Sequence, residues 1–85
     1  MEKTHQNLLK TIAKVVKTRR EALDISQEAL ADIAEIDRSY TSQIERGIAN
    51  PSLQVLCKLA KALNLSVGQL LGEIEIKQSN FKEPS

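Results

Sequence analysis

The chain is 85 residues long, which is the size of one small domain, and its formal net charge at pH 7 is only +1. Hydrophobic residues make up 41% of the chain, but Tyr40 and Phe81 are its only aromatic residues, and this composition favours an all-α fold. The single cysteine excludes an internal disulfide, and no apolar run approaches the roughly 20 residues of a membrane span. Because the N-terminus does not resemble a signal peptide, we expect a soluble, cytoplasmic protein that does not bind a membrane. With one histidine and one cysteine in the chain, we also expect no metal site and no cofactor.

The first predicted helix runs from Thr4, a candidate N-cap, to Leu23. Its core-facing stripe recurs at steps of three and four residues and consists of Leu9, Ile12, Ala13, Val16, Arg20 and Leu23. Residues 1–20 are also basic, with Glu2 as the only acid beside Lys3, Lys10, Lys14, Lys17, Arg19 and Arg20. This run is either a flank that faces phosphates or a solvated helix face, and charge alone favours the solvated face. We expect His5, the only histidine, at the surface.

Local signals define the start of the second predicted helix. Asp24 stands where helices often end in glycine, and Asp tolerates the left-handed conformation. Ser26 is a favourable N-cap, so the second helix is predicted over residues 27–34. Ala31 and Ala34 are small, and they lie on the face that meets the next helix, which allows the two helices to cross closely.

The third predicted helix begins after Asp37, its N-cap, and stops at Gly47. At about 3.6 residues per turn, one side of this helix carries Asp37, Thr41, Ile44, Glu45 and Ile48. The other side carries hydrogen-bonding groups and no acid, namely Arg38, Ser39, Ser42, Gln43 and Arg46. Because Arg, Gln and Ser can contact base edges and phosphates, this pattern predicts a helix that reads the major groove of DNA.

The fourth predicted helix follows a turn at residues 50–52, with Ser52 as its N-cap, and runs to about residue 63. Its wide apolar stripe is typical of a core helix and consists of Leu53, Leu56, Leu59, Ala60 and Leu63. Cys57 lies within this pattern, so we interpret it as a small core residue rather than a redox-active thiol.

A capping box of Ser66 and Gln69 predicts a fifth helix over residues 67–71, which Gly72 closes. The remaining tail, residues 73–85, alternates Ile74 and Ile76 with charged residues and then becomes polar. This pattern fits a short strand, a dimer contact or fraying.

Four short motifs occur in order along residues 16–71: SQEALA opens the second predicted helix, IERG closes the third, NPS forms the turn, and LAKAL lies in the fourth. With these motifs the chain resembles the Cro and phage-repressor type of helix-turn-helix DNA-binding domain. The resemblance implies a compact, five-helix, lambda-repressor-like domain over residues 1–72, with the helix-turn-helix motif at residues 27–46. It also implies a homodimer on a two-fold symmetric operator of double-stranded DNA.

The resemblance also implies roles for individual side chains. Together with the polar side of the third helix, it indicates base reading by Gln27, Arg38, Ser39, Ser42 and Gln43, although Gln27 is equally suited to buttress a phosphate. The candidate phosphate contacts are Arg20, Tyr40, Arg46 and Asn50. Arg20 also matches the partner of Glu45 in an ion pair that ties the first helix to the third, so both roles stay open. For Tyr40, half-buried packing is the favoured alternative.

Two positions depart from the family pattern. Glu35 stands in the turn where glycine is common, so we expect either a strained left-handed residue or a reshaped turn. Thr41 stands where isoleucine is common, and we expect its hydroxyl to bond back to a helix carbonyl.

The leading functional hypothesis is a bacterial, phage or plasmid transcription regulator, a repressor or an activator, that binds an inverted repeat as a homodimer. The alternative is an antitoxin or another partner-binding protein in which residues 73–85 hold a second protein. An enzyme is excluded, because the sequence offers no nucleophile with a base, no phosphate-binding glycine loop and no metal constellation. A helical bundle whose polar arc is merely solvated is a less favoured alternative.

Overall fold

The computed structural model describes residues 2–79, with side chains described from residue 7 to residue 78. Five helices follow one another: α1 (Glu2–Ala22), α2 (Gln27–Ala34), α3 (Arg38–Glu45), α4 (Leu53–Ala62) and α5 (Val67–Ser79). Helix α1 packs against α3 and α5, α2 packs against α3 and α4, and α4 packs against α5. Because residues 2–79 contain no strand, the structure confirms the all-α, five-helix prediction.

Side chains cap the helices at the positions that the sequence indicated. The hydroxyl of Ser26 accepts a hydrogen bond from the amide of Ala29 at 3.0 Å, and the Asp37 carboxylate accepts one from Ser39 at 3.1 Å. Before α5, the backbone amide of Ser66 donates to the side-chain oxygen of Gln69, and the backbone amide of Gln69 donates to the Ser66 hydroxyl. These caps satisfy amide groups that lack a partner inside the helix, so they fix where α2, α3 and α5 begin.

The turns between helices use residues in the left-handed conformation. Asp24 has a φ of 59°, as its sequence position indicated, and Asn64 has a φ of 61° at the end of α4. Glu35 has a φ of 58° and ends α2, so of the two expectations for this turn the strained left-handed residue is confirmed. Its backbone amide donates to carbonyls of the last turn of α2, which keeps the tight geometry between α2 and α3 despite the strain.

The core lies where the inner faces of all five helices meet. Its largest fully buried side chains are Val15, Val16, Leu30, Ile44, Leu59, Leu63 and Leu70. Ala31 and Ala34 of α2 are also buried, which agrees with the close approach of α2 to its neighbours. The core-facing side of α3 therefore packs against aliphatic side chains of the other helices.

The predicted burial of two residues in α4 is wrong. Leu53 is 63% exposed, and Cys57 is exposed as well. Leu56 and Leu59 do face the core, and Cys57 lies about 100° around the helix from Leu56, which turns its thiol toward solvent. The apolar stripe of α4 is thus narrower than its sequence suggested.

Both outer helices differ from their predicted limits. Helix α1 begins at Glu2, so Thr4 lies inside the helix and is not its N-cap, while the side chain of His5 lies outside the described residues. Helix α5 continues through Gly72 to Ser79, so the predicted end at Gly72 and the short strand after it are wrong. Residues 80–85, including Phe81, lie outside the described residues.

Burial of Ile74 explains why α5 continues. Its side chain is only 6% exposed and belongs to the core, and the hydroxyl of Thr11 in α1 lies 2.8 Å from the Gln78 side-chain oxygen. Burial of an Ile side chain contributes about 1.5–3 kcal/mol. That is more than the roughly 1 kcal/mol that a glycine costs inside a helix, so Gly72 does not end it. None of the helices in the described part is long and apolar enough to cross a membrane.

Candidate nucleic-acid interface

One side of α3 is anchored in the protein. Thr41 is fully buried, and its hydroxyl donates to the carbonyl of Asp37 at 3.2 Å, as expected for a threonine in this position. Ile44 is 1% exposed and joins the core, while Glu45 is also buried and faces α1. This anchoring fixes the rotation of α3 about its axis, so the opposite side of the helix is presented to solvent.

The polar side of α3 forms one wall of an open groove. Arg38, Ser39, Gln43 and Arg46 are exposed, and Ser42 is half-buried. The groove has a volume of about 480 Å³ and is lined by Gln27, Arg38, Ser39, Ser42, Gln43 and Arg46. The structure therefore brings all five predicted base-reading residues together with Arg46 on one surface. A groove lined only by hydrogen-bonding side chains suits base edges and phosphates better than an apolar ligand.

A buried ion pair holds α3 against α1. Arg20 donates from Nε to Glu45 Oε2 at 2.7 Å and from Nη2 to Oε1 at 3.0 Å, and its Nη1 donates to the carbonyl of Ile25 at 2.8 Å. The two side chains are only 12% and 2% exposed. The hydrogen bonds to Glu45 raise the pKa of Arg20, so the guanidinium stays charged. Each guanidinium nitrogen already has a protein partner, and this geometry favours the structural role of Arg20 over phosphate binding.

Gln27 completes this buried cluster, a feature that the sequence did not reveal. Its amide nitrogen donates to Glu45 Oε1 at 3.0 Å, so the same carboxylate that binds Arg20 also orients the first residue of α2. Gln27 is half-buried and still lines the groove. The orientation of this amide is thus coupled to the position of α3. Such a supporting contact fixes the geometry of a residue that lies at the edge of a binding surface.

Two other candidate residues, Tyr40 and Asn50, lie outside the groove lining. Tyr40 is half-buried and packs against the core, which is the packing role that the sequence favoured. Asn50 is exposed in the connection between α3 and α4.

Arg38 of the groove lining lies 3.8 Å from Glu28 of α2, but both side chains are about two-thirds exposed or more. Such a solvated contact stabilises little, so Arg38 is available to a ligand.

Metal binding has no structural support within residues 2–79, where no group of three His, Cys, Asp or Glu residues could hold a metal ion. The side chains that line the groove supply hydrogen bonds and, from Arg38 and Arg46, positive charge.

Comparison with known proteins decides the family. The profile of a helix-turn-helix family matches residues 16–70, which is well over half of the chain. The chain belongs to the helix-turn-helix family. At the level of the family, the chain is a DNA-binding transcriptional regulator of the helix-turn-helix type. The match begins within α1 and ends within α5, so it covers the whole groove described above.

Several relatives are control proteins. The chain is 40% identical over 62 residues to the control protein C.MunI from Mycoplasma sp, a match that covers 73% of this chain and 84% of C.MunI. The chain spans less than half of the length of some other relatives, such as a mycobacterial helix-turn-helix regulator of which 46% is covered. The relatives are named as control proteins and transcriptional regulators rather than as enzymes.

Solved structures show the same fold. The restriction-modification controller protein C.AhdI from Aeromonas hydrophila superposes with a TM-score of 0.70 at 39% identity, covering 73% of this chain and 94% of that protein. The protein C.Esp1396I, solved on a 19 base pair DNA duplex, superposes with a TM-score of 0.75 at 32% identity. That match covers 84% of this chain and 93% of C.Esp1396I.

Proposed function

We propose that this chain is a sequence-specific regulator of transcription that binds an inverted-repeat operator in double-stranded DNA as a homodimer. The single observation that supports this proposal best is the groove of six hydrogen-bonding side chains along α3. Because α3 is anchored by Thr41, Ile44 and Glu45, its outer side chains are held ready to enter a major groove.

Base reading is assigned to the exposed side chains of α3. Arg38 can donate two hydrogen bonds to a guanine, and Gln43 can pair with an adenine, each contributing about 1–3 kcal/mol of discrimination. Ser39 and Ser42 bind either base type and therefore discriminate less. Arg46 and Asn50 lie beyond the reading residues, where contacts to phosphates set the position of the protein on the duplex.

Two arguments support the homodimer, namely the symmetry of the operator and the exposed apolar surface of the chain. Two copies of α3 must lie about 34 Å apart to enter successive major grooves, and a two-fold axis then requires half-sites of mirrored sequence. Near α3 the chain exposes Ile48 (61%) and Leu53 (63%), and Ile76 of α5 is 66% exposed. In the proposed homodimer, a second copy of the chain would cover part of this apolar surface.

In the antitoxin alternative, residues 73–85 bind another protein. The fold leaves fewer apolar side chains of this segment free for such a contact. Ile74 is an apolar residue of that segment, but its side chain is buried in the core of the chain itself. Ile76 is the apolar side chain in residues 73–79 that stays exposed. We therefore retain the simple regulator as the main proposal.

Selection of bound DNA from a random pool, at a stated moderate salt concentration, tests the proposed function. The expected result is enrichment of an inverted repeat with half-sites about 10 base pairs apart, centre to centre. If the pool is not enriched while circular dichroism shows a folded, helical protein, the proposal of a self-sufficient sequence reader is wrong. Enrichment of a single half-site without symmetry would contradict the homodimer alone.

A further inference from the structure

A second groove runs beside the first, between α1 and the end of α3. It has a volume of about 400 Å³, and its basic lining residues are Lys10, Lys14, Lys17 and Arg46. The three lysines are spaced by four and three residues, so they lie on one face of α1, and all three are exposed. We call Lys10, Lys14 and Lys17 the lysine edge of α1.

The arginines of α1 behave differently from these lysines. Arg19 donates to the carbonyl of Leu63 at 3.2 Å, and Arg20 is bound to Glu45. By contrast, none of the three lysines forms an ion pair with another residue of the described part of the chain. The basic residues of α1 are therefore divided between arginines that hold the fold and lysines that face solvent.

The acids in this groove do not cancel the lysine charges. Two acids line it, Glu21 and Glu45. The Glu45 carboxylate is 2% exposed and is neutralised by Arg20, so little of its charge reaches the groove. Glu21 is exposed and lies four residues beyond Lys17, at one end of the lysine edge. The groove thus carries an excess of positive charge that its own fold does not use.

The second groove is continuous with the reading surface. Arg46 lines both grooves, so it forms the boundary between them. Next to it, Gly47 has a φ of 74° and approaches α1 so closely that a Cβ on this residue would lie 3.6 Å from the Cα of Lys10. The lysine edge therefore begins directly beside the end of α3, and a duplex seated on α3 would extend over it.

We infer that the lysine edge of α1 binds the phosphodiester backbone of the same DNA duplex, beside the major groove that α3 reads. This inference rests on the proposed function, and it adds α1 to the surface that contacts the duplex. Lys10 and Lys17 are separated by about 10 Å along the helix axis. Phosphates recur about every 3.4 Å along the axis for one strand, so the edge is long enough to face roughly three of them.

The salt dependence of DNA binding tests the inference. The variant is Lys14→Gln with Lys17→Gln, because Lys10 packs beside Gly47 and is left in place. The matched control is Lys58→Gln with Lys61→Gln, which removes the same charge from α4, in a groove with Ile33 and Glu35. Glutamine has a helix propensity close to that of lysine, so both double variants should keep their helices.

For the α1 variant we expect the slope of log K against log salt to become shallower by about 0.9 for each lysine that meets a phosphate. The loss of affinity should be equal on the selected operator and on random DNA, because phosphates carry no sequence information. The control variant should keep the wild-type slope. Affinities of all three proteins are measured on both duplexes between 50 and 200 mM salt.

Two results would overturn the inference, and they are distinguishable. If the wild type binds the duplexes and the α1 variant has the same slope as the α4 control, the lysine edge does not contact DNA. If the wild type binds no duplex at any of these salt concentrations, the proposed function fails together with the inference.

Discussion

The buried pair of Arg20 and Glu45 makes the strongest prediction about stability. The Glu45 carboxylate accepts three hydrogen bonds, two from Arg20 and one from Gln27. Replacing either partner alone leaves the other charge buried without compensation, which costs about 3–5 kcal/mol. A domain of this size has a total free energy of unfolding of about 4–13 kcal/mol. Arg20→Met and Glu45→Leu should therefore each lower the free energy of unfolding by a large fraction of its total.

The double variant should behave differently from the sum of its parts. When both charges are replaced by apolar side chains of similar volume, no buried charge is left unpaired, and the change in stability is often small. We expect the double variant to be more stable than either single variant. The free energy of coupling between the two sites should be at least about 2 kcal/mol.

Urea denaturation followed by circular dichroism measures these free energies. The exposed contact of Glu28 with Arg38 is the control, and Glu28→Ala should change stability by no more than about 1 kcal/mol. If the effects of Arg20→Met and Glu45→Leu add within about 0.5 kcal/mol, the pair is not coupled as its geometry requires. The argument for anchoring α3 through this ion pair would then be wrong.

Further predictions concern single residues. Ile74→Ala should destabilise the fold by about 2–5 kcal/mol in urea denaturation, whereas the exposed Ile76→Ala should have little effect; equal effects would contradict the continuation of α5. Glu35→Gly should raise the free energy of unfolding by about 1 kcal/mol, because glycine adopts a φ of 58° without strain, and a loss of stability would refute the strain. Gly47→Ala should lower the melting temperature, since its φ of 74° and not a clash limits this site; an unchanged melting temperature would contradict that reasoning.

Helical periodicity and capping signals were sufficient to predict much of the fold. Ser26, Asp37 and the capping box of Ser66 and Gln69 form the caps that their sequence positions indicated. The arc of α3 also follows from periodicity alone, because residues 38, 39, 42, 43 and 46 must share one side of a helix. Since α3 is short and anchored, this arc became the wall of the groove.

Other features depend on tertiary contacts that no local pattern encodes. Glycine commonly ends helices, but at Gly72 the burial of Ile74 against other helices outweighs that local preference. The apolar stripe of α4 could not show that Cys57 faces solvent, because nearly every turn of that helix offers apolar residues on more than one face. The hydrogen bond from Gln27 to Glu45 joins residues 18 positions apart, so only the fold reveals it.

The outer side of α3 is proposed to read base sequence, and the ratio of two binding affinities tests this role. The ratio compares binding to the selected operator with binding to random DNA, for the wild type, Gln43→Ala and Arg46→Ala. Gln43→Ala should lower the ratio by at least about 5-fold, because a base contact contributes about 1–3 kcal/mol of discrimination. Arg46→Ala should weaken both complexes and leave the ratio unchanged. A ratio that is unchanged in Gln43→Ala, with the protein folded, would contradict the claim that this side of α3 reads the operator.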